Sequence, residues 1–207
     1  MTNAQKQKQN RARKFRRNIE RLLTSTITTS DMGASWYPEA KSACVAIATA
    51  HSVPVSIVVA CVAALSPNNR WERNLVNAND MIANFLDGQP VERCKPSTYK
   101  LMRDKAWTIL ETGNASDETI LKQLNGQKIT SFYRCIMGEN DCVIDGHAYN
   151  IAKNERVELT NNKTSISKGL YVELQNAYIA VAKKHGMKAH EVQAITWEKW
   201  RKSHGIA

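Results

Sequence analysis

At 207 residues, with 43% hydrophobic and 23% charged side chains, the chain can bury a substantial core and is too apolar for wholesale disorder. No run approaches the ~20 apolar residues of a membrane span, and the basic, polar N-terminus lacks the apolar core of a secretory signal. The formal charge of +10 is unevenly spread, because residues 1–21 hold eight cations against Glu20 alone. Five cysteines (Cys44, Cys61, Cys94, Cys135 and Cys142) are odd in number and form no CxxC pair, so they read as reduced, mostly interior thiols of a cytoplasmic protein.

Residues 1–21 read as a basic arm running into the first helix. Its first eight or so residues are expected to be disordered, and from about Arg11 a stripe of Phe15, Ile19, Leu22 and Leu23 predicts a docked helix. Such an arm engages polyanion phosphates by counterion release, or else serves as a solvated tail. Residues 24–30 break the pattern. Pro38 suits a first helical turn, followed by Ala40, Ala43, Cys44, Ile47 and Ala48 on one face. Val55–Leu65 is almost wholly apolar and too long for an ordinary strand, which predicts a buried central helix.

After the turn Ser66-Pro67-Asn68-Asn69-Arg70 comes a helix with Trp71, Leu75, Ala78, Ile82 and Phe85, stopped by Asp87-Gly88. Ser97 is the expected cap of a helix carrying Leu101, Met102, Lys105, Ile109 and Leu110, with Gly113 ending it. Ser116 then caps a helix with Ile120, Leu121 and Leu124. Asn125-Gly126 makes a tight turn, since both residues tolerate positive φ. Ile129, Phe132, Tyr133 and Ile136 define the helix Gln127–Met137, ended by Gly138. Asp145 caps a further helix through His147, Ala148 and Ile151. A polar loop is expected at residues 160–165. Beyond it lie a helix around Leu170 to Val181, ending at His185-Gly186, and a last helix with Val192, Ile195, Trp197 and Trp200. The whole reads as all-α, roughly nine helices, with residues 22–207 as one domain.

Two side chains here have chemical potential. Lys128 sits in the first turn of a helix, where the dipole disfavours an ammonium and lowers its pKa, which favours the nucleophilic amine. Asp145 sits at the start of another helix, where an ionised carboxylate is favoured. An amine beside a fixed carboxylate suits reactions through a cationic sugar. The plainer alternative is a solvated lysine and an ordinary capping aspartate.

The pattern Leu124-x-Gly126-x-Lys128, an apolar helix, then Val143-Ile144-Asp145-x-His147 with Ile151-Ala152 resembles the helix-hairpin-helix DNA glycosylase superfamily. Upstream, the apolar helix from Ser56 that ends in Leu65-Ser66 is similar to the one preceding that family's DNA-inserting loop. The ordered pair covers residues 53–152. The hairpin is shorter than the family's, with Gly126 alone where two glycines are usual, and no C-terminal cysteine cluster for an iron–sulfur group follows Cys142. The patterns Ala64-Leu65-Ser66-Pro67-x-x-x-Trp71 and Ile144-Asp145-x-His147-Ala148 also resemble those of small bacteriophage proteins, which would place the chain in a host cytoplasm.

The resemblance implies a helix-hairpin-helix glycosylase-like fold and a DNA partner, duplex by expectation, whose N-glycosidic bond is cleaved at a flipped nucleotide. It implies catalytic roles for Lys128, as a Schiff-base nucleophile and lyase group, and for Asp145, as the stabiliser of the cationic transition state. Asn125, Gly126 and Gln127 would grip phosphate. Asn68, Asn69 and Arg70 would enter the base stack, although turn chemistry explains the asparagines equally well. Arg13, Arg16 and Arg17 are the DNA contacts expected of the arm. Trp36, Tyr37 and Trp71 would line a base pocket, or else belong to the core. His147 carries a structural role in that family. The histidines show no zinc-ligand spacing, and neither metal nor redox cofactor nor obligate protein partner is implied. A non-catalytic DNA-binding module, and an enzyme modifying hypermodified pyrimidines on the same scaffold, are the rival readings.

Overall fold

The computed structural model describes residues 1–28, 32–157 and 166–206, so the loop expected at residues 160–165 lies outside the described residues. Those residues form ten α-helices and a short 3₁₀ turn, with no strand among them. The chain divides into two compact units, one made of Met1–Tyr37 with Glu139–Ala207 and the other of Pro38–Gly138.

The unit Pro38–Gly138 is built around α3 (Val55–Leu65), in which every residue from Ile57 to Leu65 is buried. Valine-rich sequence is a mediocre helix former, but a segment apolar on all sides gains more from enclosure than it loses in propensity. Around it pack α4 (Trp71–Leu86), α5 (Lys100–Thr112), α6 (Asp117–Leu124) and α7 (Gln127–Met137). Polar ties reinforce that packing. Asn74 donates to the Val62 carbonyl at 2.9 Å and Ser56 to the Ala115 carbonyl at 3.1 Å.

The other unit packs α1 (Asn3–Leu23) against α8 (Gly146–Lys153), α9 (Lys168–His185) and α10 (Ala189–Ser203). Its core joins Phe15 and Ile19 to Ile144, Ile151, Tyr178 and Trp200. Buried Asn18 donates to the Ala152 carbonyl at 2.9 Å, and Lys199 donates to the carbonyls of Leu23 (2.6 Å) and Ser25 (2.9 Å), closing the C-terminal end of α1.

Three local expectations are corrected. α1 begins at Asn3, not near Arg11, because Thr2 and Gln5 form a reciprocal capping box. α2 (Met32–His51) starts before Pro38, which sits inside the helix and leaves the Ala34 carbonyl without its usual helical donor. The cap of α5 is Tyr99, while Ser97 instead gives its N–H to Asn77 Oδ1 at 2.9 Å. All five cysteines are free and buried, and burial pushes the Cys44 and Cys61 thiols up to about 12. No single helix among the described residues is long and apolar enough to cross a membrane; α2 and α3 pass that test only jointly, as a pair bent by 119°.

Candidate functional site

In the unit Pro38–Gly138 the candidate residues gather at the hairpin α6–α7. Ser116 Oγ accepts the Thr119 N–H at 3.5 Å and starts α6. Asn125 turns the chain in the left-handed region at φ 39°, ψ 51°. Gly126 does not share that conformation: its φ of −164° is ordinary extended backbone. Its small size matters instead, since a Cβ would stand 3.3 Å from Ile129 Cγ1. Tyr133 donates to Asp117 Oδ1 at 2.6 Å and locks the two helices together. Lys105 closes the end of α6 by donating to the carbonyls of Gln123 (2.9 Å) and Leu124 (2.5 Å), and desolvation pushes its pKa down.

The exposed turn therefore rests on a firm base. Gly126, the N-cap of α7, makes no side-chain cap hydrogen bond, so the positive end of that helix dipole receives no capping acceptor from it. Asn125, Gly126 and Lys128 are exposed, and Gln127 is half-buried. Trp71 meets Phe132 edge-to-face at 6.4 Å between ring centroids. Phe132 is one turn beyond Lys128, on the same helix face. Trp71 directly follows the loop Asn68–Asn69–Arg70, so that contact brings the loop and the lysine end of α7 to one side of this unit. Within the loop Asn68 is exposed at φ 56° and Arg70 is exposed. Asn69 is tied inward, its Nδ2 donating to the Leu65 carbonyl and to Asn77 Oδ1, both at 3.2 Å.

The other unit holds a separate candidate, Asp145. Asp145 is the N-cap of α8, and its Oδ1 accepts the Ala148 N–H at 2.7 Å. Its Oδ2 accepts the indole N–H of Trp197, from α10, at 3.2 Å. Arg201 stacks over Trp197 at 4.4 Å, while His147 meets the same ring edge-on at 5.9 Å. The carboxylate is thus half-buried and held from two helices, with aromatic and cationic side chains around it. Sequence marks Trp197 only as a stripe residue of the last helix, and gives neither it nor Arg201 or His204 a place beside Asp145. No local pattern signals a contact across 52 residues, and the only trace was the apolar stripe of the last helix.

Trp36 and Tyr37 also lie in this unit, whereas Trp71 belongs to the other. Tyr37 is buried, donating its hydroxyl to Gln193 Oε1 at 3.1 Å, and Trp36 stands edge-on to it at 4.8 Å. His190 meets the Tyr37 ring at 5.1 Å and donates from Nδ1 to the Glu139 carbonyl at 3.0 Å. Arg13, Arg16 and Arg17 are exposed on α1. Among the described residues, no three His, Cys, Asp or Glu side chains gather in a way that could hold a metal ion.

Burial pushes His147 down from its ordinary 6.5, opposed by the Asp145 carboxylate and assisted by Arg201 and His204. Burial likewise lowers His190, against the Glu139 carbonyl and the charge of Glu191. Each folded imidazole therefore binds its proton less readily than in the unfolded chain, so the stability it supports is complete above the ordinary value and lost as pH falls below it. The urea midpoint is expected to be lower at about pH 5.5 than at about pH 8. An unchanged midpoint would show both rings fully hydrated in the native state.

The described residues thus define an all-helical protein with an exposed helical hairpin in one unit and a fixed capping carboxylate in the other. Residues 1–204 match the family model described as "Family of unknown function (DUF7178)", and the chain belongs to that family. No curated protein and no solved structure matches the chain.

Proposed function

We propose that this protein binds duplex DNA through the α6–α7 hairpin and the loop Asn68–Asn69–Arg70, and cleaves the N-glycosidic bond of a flipped nucleotide in the manner of helix-hairpin-helix DNA glycosylases. One observation carries the reading: Trp71 on Phe132 sets the loop beside an uncapped helix start bearing exposed Lys128. An uncapped helix N-terminus binds phosphate, and a neighbouring polar loop is what fills a stack after a base leaves it. In this reading the Lys128 amine displaces the base at the sugar C1′ and forms a Schiff base. The Asp145 carboxylate is assigned the stabilisation of the sugar cation.

The test is single-turnover release from duplexes carrying a panel of damaged and modified bases, with borohydride trapping in parallel. Trapping is expected with the parent and absent with Lys128→Ala, which would retain partial release if water replaces the amine. A second reading, a DNA-binding module without chemistry, draws support from Asp145 having both oxygens engaged in structural hydrogen bonds. Duplex affinity with neither release nor trapping would establish it. Altered bases that remain attached to the strand would point to base modification.

A further inference from the structure

Arg13, Arg16 and Arg17 are spaced i, i+3 and i+4 on α1 and so share one face of that helix. Between this face and α9 runs an open groove of about 440 Å³, floored by Ala180 and Val181 and edged by Lys184. Neighbouring cations are neutralised within the unit. Arg11 binds Glu173 through Nε and Nη2, at 2.9 Å each, and Lys8 reaches the same carboxylate at 3.9 Å. Lys14 lies 3.9 Å from Glu155. Glu20, the one acid lining the groove, is taken by Lys184 at 2.5 Å and His185 at 2.8 Å, and those hydrogen bonds hold its carboxyl below the usual range. Among the described residues no carboxylate lies within 4.0 Å of Arg13, Arg16 or Arg17.

We propose that this arginine face and its groove form a second track for duplex-DNA phosphates, on a different unit from the hairpin. The charge pattern separates three guanidiniums without a carboxylate partner among the described residues, of which Arg16 also donates from Nε to the Ala12 carbonyl at 3.4 Å, from cations already committed to internal acids. Guanidinium groups are the side chains best matched to phosphate oxygens. A membrane surface fits less well. An interfacial helix buries bulky apolar residues among lipids, whereas Phe15 and Ile19 of α1 are already enclosed in the core. The track rests on the DNA-binding part of the function proposed above and is independent of its chemistry.

The experiment is salt-dependent fluorescence anisotropy on a labelled duplex, using the full chain and two variants of equal charge. One combines Arg13→Gln, Arg16→Gln and Arg17→Gln; the other combines Lys8→Gln, Arg11→Gln and Lys14→Gln. The first is expected to lower the log–log salt slope by roughly 2 to 3, at about 0.9 per phosphate contact, and the second by under about 1. Circular dichroism should show both folded. Equal slope changes in the two variants would overturn the track, leaving net charge alone. A parental slope in the first variant, with affinity lost in Lys128→Gln, would remove the track and keep the hairpin as the DNA site. A parent without salt-dependent duplex affinity would remove both. Retention of duplex affinity by the first variant, with loss of binding to phosphatidylserine vesicles, would reassign the groove to lipid.

Discussion

Asp145→Asn is expected to reduce base release by roughly 10²–10³-fold or more, while Trp197→Phe reduces it by less than about tenfold. The pair is needed because the substitution is not structurally silent. Asparagine keeps one acceptor oxygen, but Asp145 accepts on both, from the Ala148 N–H and from the Trp197 indole. Whichever way the amide is turned, its NH₂ confronts one of those donors. The resulting loss is about 1 kcal/mol, toward the low end for an unmade bond because the site is half-buried. Trp197→Phe removes the same indole bond and leaves the carboxylate and its cap on the Ala148 N–H in place. What only Asp145→Asn removes is the negative charge that the proposed mechanism sets against a cationic sugar, an effect on rate more than on ground-state affinity. Single-turnover release, with duplex affinity and melting measured on the same samples, separates these effects. Equal rates for parent and Asp145→Asn would end the glycosylase mechanism. An equal fall in both variants would show that Asp145 acts through fold and position alone.

Those elements that sequence disclosed are the ones punctuated by local chemistry. Ser116, Asn125 and Gly138 bound the hairpin helices as expected, because a cap and two left-handed positions each have few suitable residues. Asp145 starts α8 and His185-Gly186 ends α9 for the same reasons. α3 was legible because the unbroken apolar run Ile57–Leu65 has no polar face to offer to solvent. The reading of Gly126 was right about a turn and wrong about its cause, since dihedral freedom and lack of a Cβ leave the same residue in the sequence.

The carboxylate's setting was not legible. An aspartate before Gly146 announces a cap, but nothing in its neighbourhood announces that an indole from α10 will take its other oxygen. The same holds for Lys105 and Lys199, whose side-chain amino groups close helix ends by donating to backbone carbonyls. Desolvation lowers the pKa of both. Helix-end carbonyls attract any lysine within reach, and reach is a tertiary property.

Removing residues 1–21 is expected to unfold the unit that contains them, an outcome the high charge of that segment conceals. Up to Phe15 the helix shows no apolar stripe, so its glutamines, lysines and arginines read as a tail, although they are good helix formers. The structure commits its far half to the interior. Phe15 and Ile19 are 1% and 0% exposed, and they pack in one cluster with Tyr178 and Trp200. Truncating a buried phenylalanine costs about 3–5 kcal/mol and a buried isoleucine about 2–5 kcal/mol. Their joint loss rivals the ~5–15 kcal/mol by which a whole domain is stable. Deletion further strips Asn18 from the Ala152 carbonyl and leaves α10 without the helix that Lys199 closes. Phe15→Ala in the full chain isolates the packing effect. Its urea midpoint should fall by the equivalent of about 3–5 kcal/mol, whereas Arg13→Gln, two residues away on the exposed face, should change stability by under about 0.5 kcal/mol. A Phe15→Ala chain within about 1 kcal/mol of the parent would mean that α1 is an appendage, and its arginines could then no longer be treated as a fixed row.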